Sequence, residues 1–308
     1  MADHHDVELT PVQRRRLKSS AQIQQDSTSH IAYQHTVLCQ TALPYRDPGS
    51  KTRVWERRQG AVTLALEAGR VRDPKSLEFV EVGLPYGSRP RLILAHLNRQ
   101  ALLSGSPTIE VEDSLTAFIR RILNRRAPDG REIRRFKNQL TRFAAALVRL
   151  AYDASSERAF QVDTKIITAF ELWSRTRDGQ RVLWPSEVRL SQEYFESLTR
   201  HAVPLDERAI AALSNSPMAL DVYAWLAQRL HRVPAGKPQK ISWQSLYEQF
   251  GHGYRHIRQF RADFLKVLEL VHAQYPAANI DADKTGLALH NSPPPVAASL
   301  VPVRKALG

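Results

Sequence analysis

From Gly130 to Leu150, GREIRRFKNQLTRFAAALVRL, apolar residues recur with a helical period. At about 100° per residue, Ile133, Phe136, Leu140, Phe143, Ala144 and Leu147 share one side, while Arg131, Arg134, Arg135, Asn138 and Arg142 crowd the other. The spacing predicts a helix with a core face and a cationic stripe free of acids. Asp129, followed three residues later by Glu132, is a capping signature that puts the helix start just ahead of the basic residues.

The pattern returns in YRHIRQFRADFLKVLELVHAQY, residues 254–275. A constant shift of 124 positions carries the apolar set onto Ile257, Phe260, Phe264, Val267, Leu268 and Val271. The polar set maps onto Arg255, Arg258, Gln259, Ala262 and Lys266. A single amphipathic helix with a basic solvated face is commonplace. Here each copy also has the same neighbours. A proline opens an apolar helix at Pro90 and again at Pro217, suiting the first helical turn. Each copy then has a short β-like run and a second helix, TIEVEDSLTAFIRRIL in one and KISWQSLYEQFG in the other, with Ser242 as N-cap. Strand-like sequence follows each basic helix. AFQVDTKIITAFELWS and VLWPSEVRLS flank an Asp178-Gly179 turn signal, and AANID and GLALH flank residues 282–285.

Helix, helix, basic helix, hairpin is the order of a winged helix, whose third helix enters the major groove. The expected fold is therefore α+β, mainly helical, with two tandem winged-helix domains and β-hairpin wings. The division that follows is a basic polar N-terminal arm (1–58), a first domain (59–200), a second (201–290) and a proline-rich disordered tail (291–308).

Charge sharpens this picture. The 308-residue chain carries 44 Lys and Arg against 31 Asp and Glu, a formal net charge of +13. Residues 120–142 alone hold nine basic residues and two acids. So local an excess points to a polyanion, nucleic acid first and an anionic membrane second. The basic helices are patterned for a globular core, which disfavours the membrane. No apolar run approaches the roughly 20 residues that would span a bilayer, and the N-terminus lacks a signal-peptide core, so a cytoplasmic protein is the default. The single cysteine, Cys39, excludes an internal disulfide and reads as a buried small hydrophobe. No metal-ligand or nucleotide-binding spacing is recognisable, and no cofactor is expected.

Arginine takes guanine bidentately and asparagine takes adenine. Asn138, central among arginines, is the expected base reader, with an ordinary solvated residue as the plainer alternative; Gln259 is its nearest counterpart. Arg131, Arg142, Arg255 and Lys266 suit phosphate clamps. Arg175, Arg177 and Arg181 around the first hairpin turn are wing candidates or simply an exposed charged tip. The tryptophans fall in apolar runs and read as core.

LPYR at 43–46, WERRQG at 55–60, VGLPYGSRPRLILAHLN at 82–98 and GREIRRFKNQLTRF together resemble the bacterial plasmid-encoded RepA replication-initiator family. The resemblance covers about residues 36–290 and implies binding to repeated origin sequences, help in duplex opening and recruitment of host DnaA and the DnaB helicase. It also implies a monomer–dimer equilibrium, with monomers binding origin DNA, dimers repressing the protein's own gene and the N-terminal winged helix at the dimer interface. In that case base reading shifts toward Arg255, Arg258 and Gln259. A plasmid transcriptional repressor without an initiation role is the alternative. A rolling-circle nickase is disfavoured, because no His-hydrophobe-His pair accompanies a tyrosine nucleophile, and His252 and His256 read as residues at a helix start.

Overall fold

A computed structural model describes residues 31–73, 76–110, 119–120, 130–155, 158–170 and 187–297. The elements in chain order are β1 (Ile31–His35), α1 (Thr36–Gln40), β2 (Val54–Gln59), β3 (Val62–Glu67), β4 (Arg70–Arg72), β5 (Phe79–Glu81), α2 (Ser88–Ser104) and β6 (Thr108–Glu110). Then come α3 (Gly130–Ala145), β7 (Leu147–Ser155), β8 (Arg158–Thr164), β9 (Ile167–Phe170), β10 (Glu187–Leu190), α4 (Gln192–His201), β11 (Ala202–Asp206) and α5 (Glu207–Leu213). The last group is α6 (Pro217–Arg229), a 3-10 turn (Leu230–Arg232), β12 (Gln239–Ser242), α7 (Trp243–Phe250), α8 (Ile257–His272), β13 (Ile280–Ala282) and β14 (Gly286–Leu289).

Two apolar helices sit at the centre. In α6 every residue from Met218 to Gln228 is buried, and Ser216 caps it by accepting from the Ala219 amide at 3.2 Å, with Pro217 in the first turn. In α2 the residues from Pro90 to Asn98 are all buried. This helix starts two residues before Pro90, after Gly87, whose φ of 77° is readily open only to glycine, and it ends at a left-handed Gly105. The two helices are joined by a buried ion pair. Arg91 on α2 donates from Nε and Nη2 to both carboxylate oxygens of Asp221 on α6, each at 2.6 Å, and also to the carbonyls of Leu43 and Gly87. With both side chains under 10% exposed, this fully bonded fork fixes one half of the molecule on the other.

The strands repeat a plan. In the first half β6, β10 and β9 pair in that order; in the second, β12, β14 and β13 do the same. Each time the strand ahead of the basic helix lies beside the second of two strands that follow it, and all pairs are antiparallel. Phe136 and Phe260 occupy equivalent core positions and are fully buried, as are Leu140 and Phe264. Ser242 caps α7 by accepting from the Ser245 amide.

Several expectations are corrected. Residues 31–58 are no arm: β1 pairs with β11 from Ile31↔Asp206 to His35↔Ala202, and Val37, Leu38 and Cys39 are buried. Asn98 holds the strand by donating to the Tyr33 carbonyl while accepting from the Tyr194 hydroxyl, both at 3.0 Å. Residues 1–30 lie outside the described chain. The basic helix stops at Ala145 rather than running to Leu150, and Leu147 opens β7. That strand joins an added sheet ordered β2-β3-β7-β8, into which part of the expected first hairpin, β8, is drawn. Helix and strand are thus mixed, helix still the larger share, with a sheet beyond the two expected hairpins. The start of the expected tail is packed, with Ser292 and Val296 buried and the Tyr275 hydroxyl donating to the Pro293 carbonyl at 2.5 Å. Residues 298–308, the Asp178-Gly179 turn with Arg175, Arg177 and Arg181, and most of the second helix of the first half lie outside the described residues.

Candidate nucleic-acid interface

The basic face of α3 is built on a seat supplied by residues 83–89. Phe136, Leu140, Phe143 and Ala144 turn inward. On the flank of the helix, buried Gln139 accepts from the Tyr86 amide at 2.8 Å. Arg142 donates to the Asp47 carboxylate at 3.3 Å and to the Leu84 carbonyl at 3.2 Å, with its guanidinium 5.1 Å from the Tyr86 ring centre. Gly83 leaves room for it, since a Cβ there would come within 2.9 Å of Arg142 Nη1. Glu132 and Phe136 face Arg89, at 3.9 Å and 5.6 Å. The LPYG stretch and the following Arg89 thus anchor the helix, while Arg131, Arg134, Arg135 and Asn138 are exposed at i, i+3, i+4 and i+7.

Arg142 is therefore no open phosphate clamp. Its side chain is 17% exposed and its charge is spent on Asp47 and a carbonyl, because the loop before α2 crosses the helix at that turn.

In the second half, Phe260, Phe264 and Val271 bury one side of α8. Arg255, Arg258 and Gln259 are exposed around its start, and Lys266 is 76% exposed beside Asp263 at 3.6 Å. No acid lies in the first turn, so the free amide groups and the arginines present the same sign. The segment leading into α8 is held by rings. His252 stacks on Tyr45 at 4.0 Å between centroids and meets the edge of Trp55 at 4.9 Å. Trp55 Nε1 donates to the Ala42 carbonyl at 2.9 Å, and the Arg57 guanidinium lies 3.8 Å over the indole. Burial, followed by the charges of Arg57 and Arg91, brings His252 down to a pKa of about 3, so the ring is neutral.

The second hairpin packs beside α8. Its turn is closed by Asp283, which accepts from the Thr285 amide and hydroxyl and the Gly286 amide. These bonds, the Thr285 side chain first, hold the Asp283 carboxyl below its usual pKa. Arg261 donates to the Asp283 and Lys284 carbonyls at 3.1 Å and 3.4 Å and covers the Trp243 ring at 5.0 Å, leaving Lys284 exposed at the tip. Gly286 is obligatory, since a Cβ there would strike the Ile241 carbonyl of the adjacent strand.

Sequence reasoning missed four residues that matter here. Gln139 and Arg261 position the two helices, and their helical register, between core and stripe, is the signal that marked them. Lys284 sits in a turn that was read only as a turn. Arg46 lies in the loop that touches both units: Tyr45 stacks on His252, Asp47 binds Arg142, and Arg46 between them is exposed.

Two units of strand, basic helix and hairpin, fixed together by a buried ion pair, define the class of protein in structural terms. The family model described as plasmid encoded RepA protein matches residues 84–245, more than half of the chain, and the chain belongs to that family of plasmid replication initiators. No curated protein matches it in sequence. Among solved structures it is similar to a crystal structure of RctB domains 2-3, at 10% identity and a TM-score of 0.50, over 82% of this chain and 94% of that one. A selenomethionine form of the same two RctB domains gives a TM-score of 0.49 at 10% identity, over 76% of this chain and 83% of that one. No described helix is long and apolar enough to cross a membrane.

Proposed function

We propose that this protein initiates plasmid replication by binding repeated sequences (iterons) in double-stranded origin DNA through two tandem winged-helix units, then helping to open the duplex and recruit DnaA and the DnaB helicase. The observation that carries the reading is the repeated sheet order, β6-β10-β9 and β12-β14-β13, with an exposed basic helix face in each unit. In such a unit the third helix enters the major groove and the hairpin meets the backbone. Asn138 with Arg134 and Arg135, and Gln259 with Arg258, are the base readers; Arg131, Arg255 and Lys266 hold phosphates. Arg175, Arg177 and Arg181, outside the described residues, are wing candidates for backbone contact by their sequence alone, and Lys284 tips the second hairpin. Arg46, between the two units, meets the phosphates that a duplex spanning both would present. The protein works in the bacterial cytoplasm on its own plasmid, in a monomer–dimer equilibrium, and carries out no catalytic step.

Fluorescence anisotropy with origin repeats and scrambled duplex tests the binding. Joint replacement of Arg134, Arg135 and Asn138 by Ala is expected to weaken origin binding and to flatten the slope of log affinity against log salt by roughly one unit per lost phosphate contact. Unchanged affinity at moderate salt would remove that face from the interface. Replication of a plasmid carrying only the origin, with the protein supplied separately, distinguishes an initiator from a repressor that does no more than occupy the DNA.

A further inference from the structure

A cleft that takes no part in the duplex-binding surface opens where β1 passes into α1 and α4 passes into β11, at the His35↔Ala202 strand pair. Its volume is about 220 Å³, and its walls include His35, Thr36, Arg200, His201 and, from the second half of the molecule, Arg232. No carboxylate lines it. His35 is already satisfied, its Nε2 bonded to Ser197 Oγ at 2.8 Å and its Nδ1 accepting from the Val37 amide. The arginines are different. Both are exposed, and neither has a carboxylate within ion-pair distance among the described residues. Arg200 Nε donates to the Glu196 carbonyl at 3.3 Å and Arg232 Nε to His231 Nε2 at 3.4 Å, and both side chains line the cleft.

Arg232 also borders a second, wider cleft of about 410 Å³, whose walls include Gln40, Gln228, Arg229 and Gln239. Here Arg229 donates to the Gln239 amide oxygen at 2.9 Å and keeps its charge, so glutamine amides stand beside cations. Both clefts are thus cationic, and the second adds the amides of Gln40, Gln228 and Gln239.

Two guanidinium groups lining one small cavity, neither with a carboxylate partner, repel each other, and a doubly charged anion between them removes that repulsion by accepting from both. A phosphate group has the charge and the oxygen count for this, and the combined space matches that of ordinary small-molecule sites. We propose that the Arg200–Arg232 cleft binds the phosphate end of a small molecule, whose remainder runs along the glutamine-lined cleft. Because the cleft is walled by β1, β11 and the 3-10 turn after α6, an occupant would tie the N-terminal segment to both halves.

Calorimetric titration of the full chain with inorganic pyrophosphate, at constant ionic strength and with sulfate as the control anion, tests this. Saturable one-site binding is expected, weakened about tenfold or more by Arg200→Ala or Arg232→Ala, whose exposed positions leave the melting temperature unchanged. A nucleoside diphosphate titrated in parallel identifies the source: tighter binding than pyrophosphate marks a nucleotide in both clefts, and equal binding marks the free anion in the first. The combined variant Arg134→Ala, Arg258→Ala should bind pyrophosphate as the parent does, whatever its effect on DNA. Absence of saturable binding, or binding that survives loss of Arg200 and Arg232 but vanishes with Arg134 and Arg258, would overturn the proposal.

Discussion

The two basic helices carry the same stripe but are seated by different chemistry. Helix α3 is clamped by polar contacts to two loops, through Gln139 on the Tyr86 amide and Arg142 on Leu84 and Asp47. Helix α8 is approached through a stack of rings, Tyr45 on His252 with Trp55 at its edge, and is braced on its hairpin by Arg261. One helix therefore gives up a stripe cation to its own support, whereas the other keeps its equivalent, Lys266, in solvent. Equal positions on a helical wheel do not have equal fates. What crosses the helix at that turn decides.

The largest effect should come from the element that both seats share. Arg91→Ala leaves Asp221 buried without its ion-pair partner, and breaking such a pair costs about 3–5 kcal/mol. Denaturant unfolding measures it, and a loss below about 1 kcal/mol would mean that the ion pair does not hold the halves together.

Next in size is the contrast between equivalent stripe positions. Arg142→Ala leaves the Leu84 carbonyl without that donor and should cost about 1–3 kcal/mol, the exposed Asp47 being solvated, while Lys266→Ala should stay within about 0.5 kcal/mol. Equal losses would show that the two seats do not differ. For DNA the order reverses. Lys266→Ala should reduce the salt slope by about one, and Arg258→Ala should cost about 1–3 kcal/mol of preference for the correct repeat over scrambled duplex.

The last effect concerns pH and emerges only below about pH 6.5. His252 has a pKa of about 3 in the fold against an ordinary value near 6.5, so between those limits the unfolded chain binds more protons. Stability contributed by its neutral ring is complete above about pH 6.5 and falls as pH drops toward 3, at up to about 1.4 kcal/mol per pH unit. Its ring nitrogens have no protein partner, so His252→Phe should keep the stack on Tyr45 and flatten this part of the stability profile. His35, also brought to about 3 by burial and then His201, adds a parallel contribution that remains in the variant. An unchanged profile would mean that the His252 ring is not shielded from protonation.

Much of this was legible in the sequence because it is local. The helical period placed Phe136, Leu140, Phe260 and Phe264 in the core, and Ser242 and Pro217 marked real helix starts. The matched neighbours of the two basic helices anticipated the matched sheet order. What stayed hidden depends on distant pairing. Leu147, Val148 and Leu150 continue an apolar run that suits either period, and only β3, some 80 residues earlier, makes it a strand. The segment IAYQH follows a polar tract and looks like its continuation until β11 pairs with it. Arg142 could not be separated from Arg135 by periodicity, because the acid that captures it, Asp47, lies 95 residues away.

A hydroxyl-radical footprint on the protein's own origin repeats tests the central claim, that both stripes face one duplex, most directly. The account predicts two protected segments in each repeat. Arg131, Arg134, Arg135 and Asn138 changed together to Ala should erase one, and Arg255, Arg258 and Gln259 changed together should erase the other. A footprint of one segment only, untouched by the loss of one of the two stripes, would contradict it.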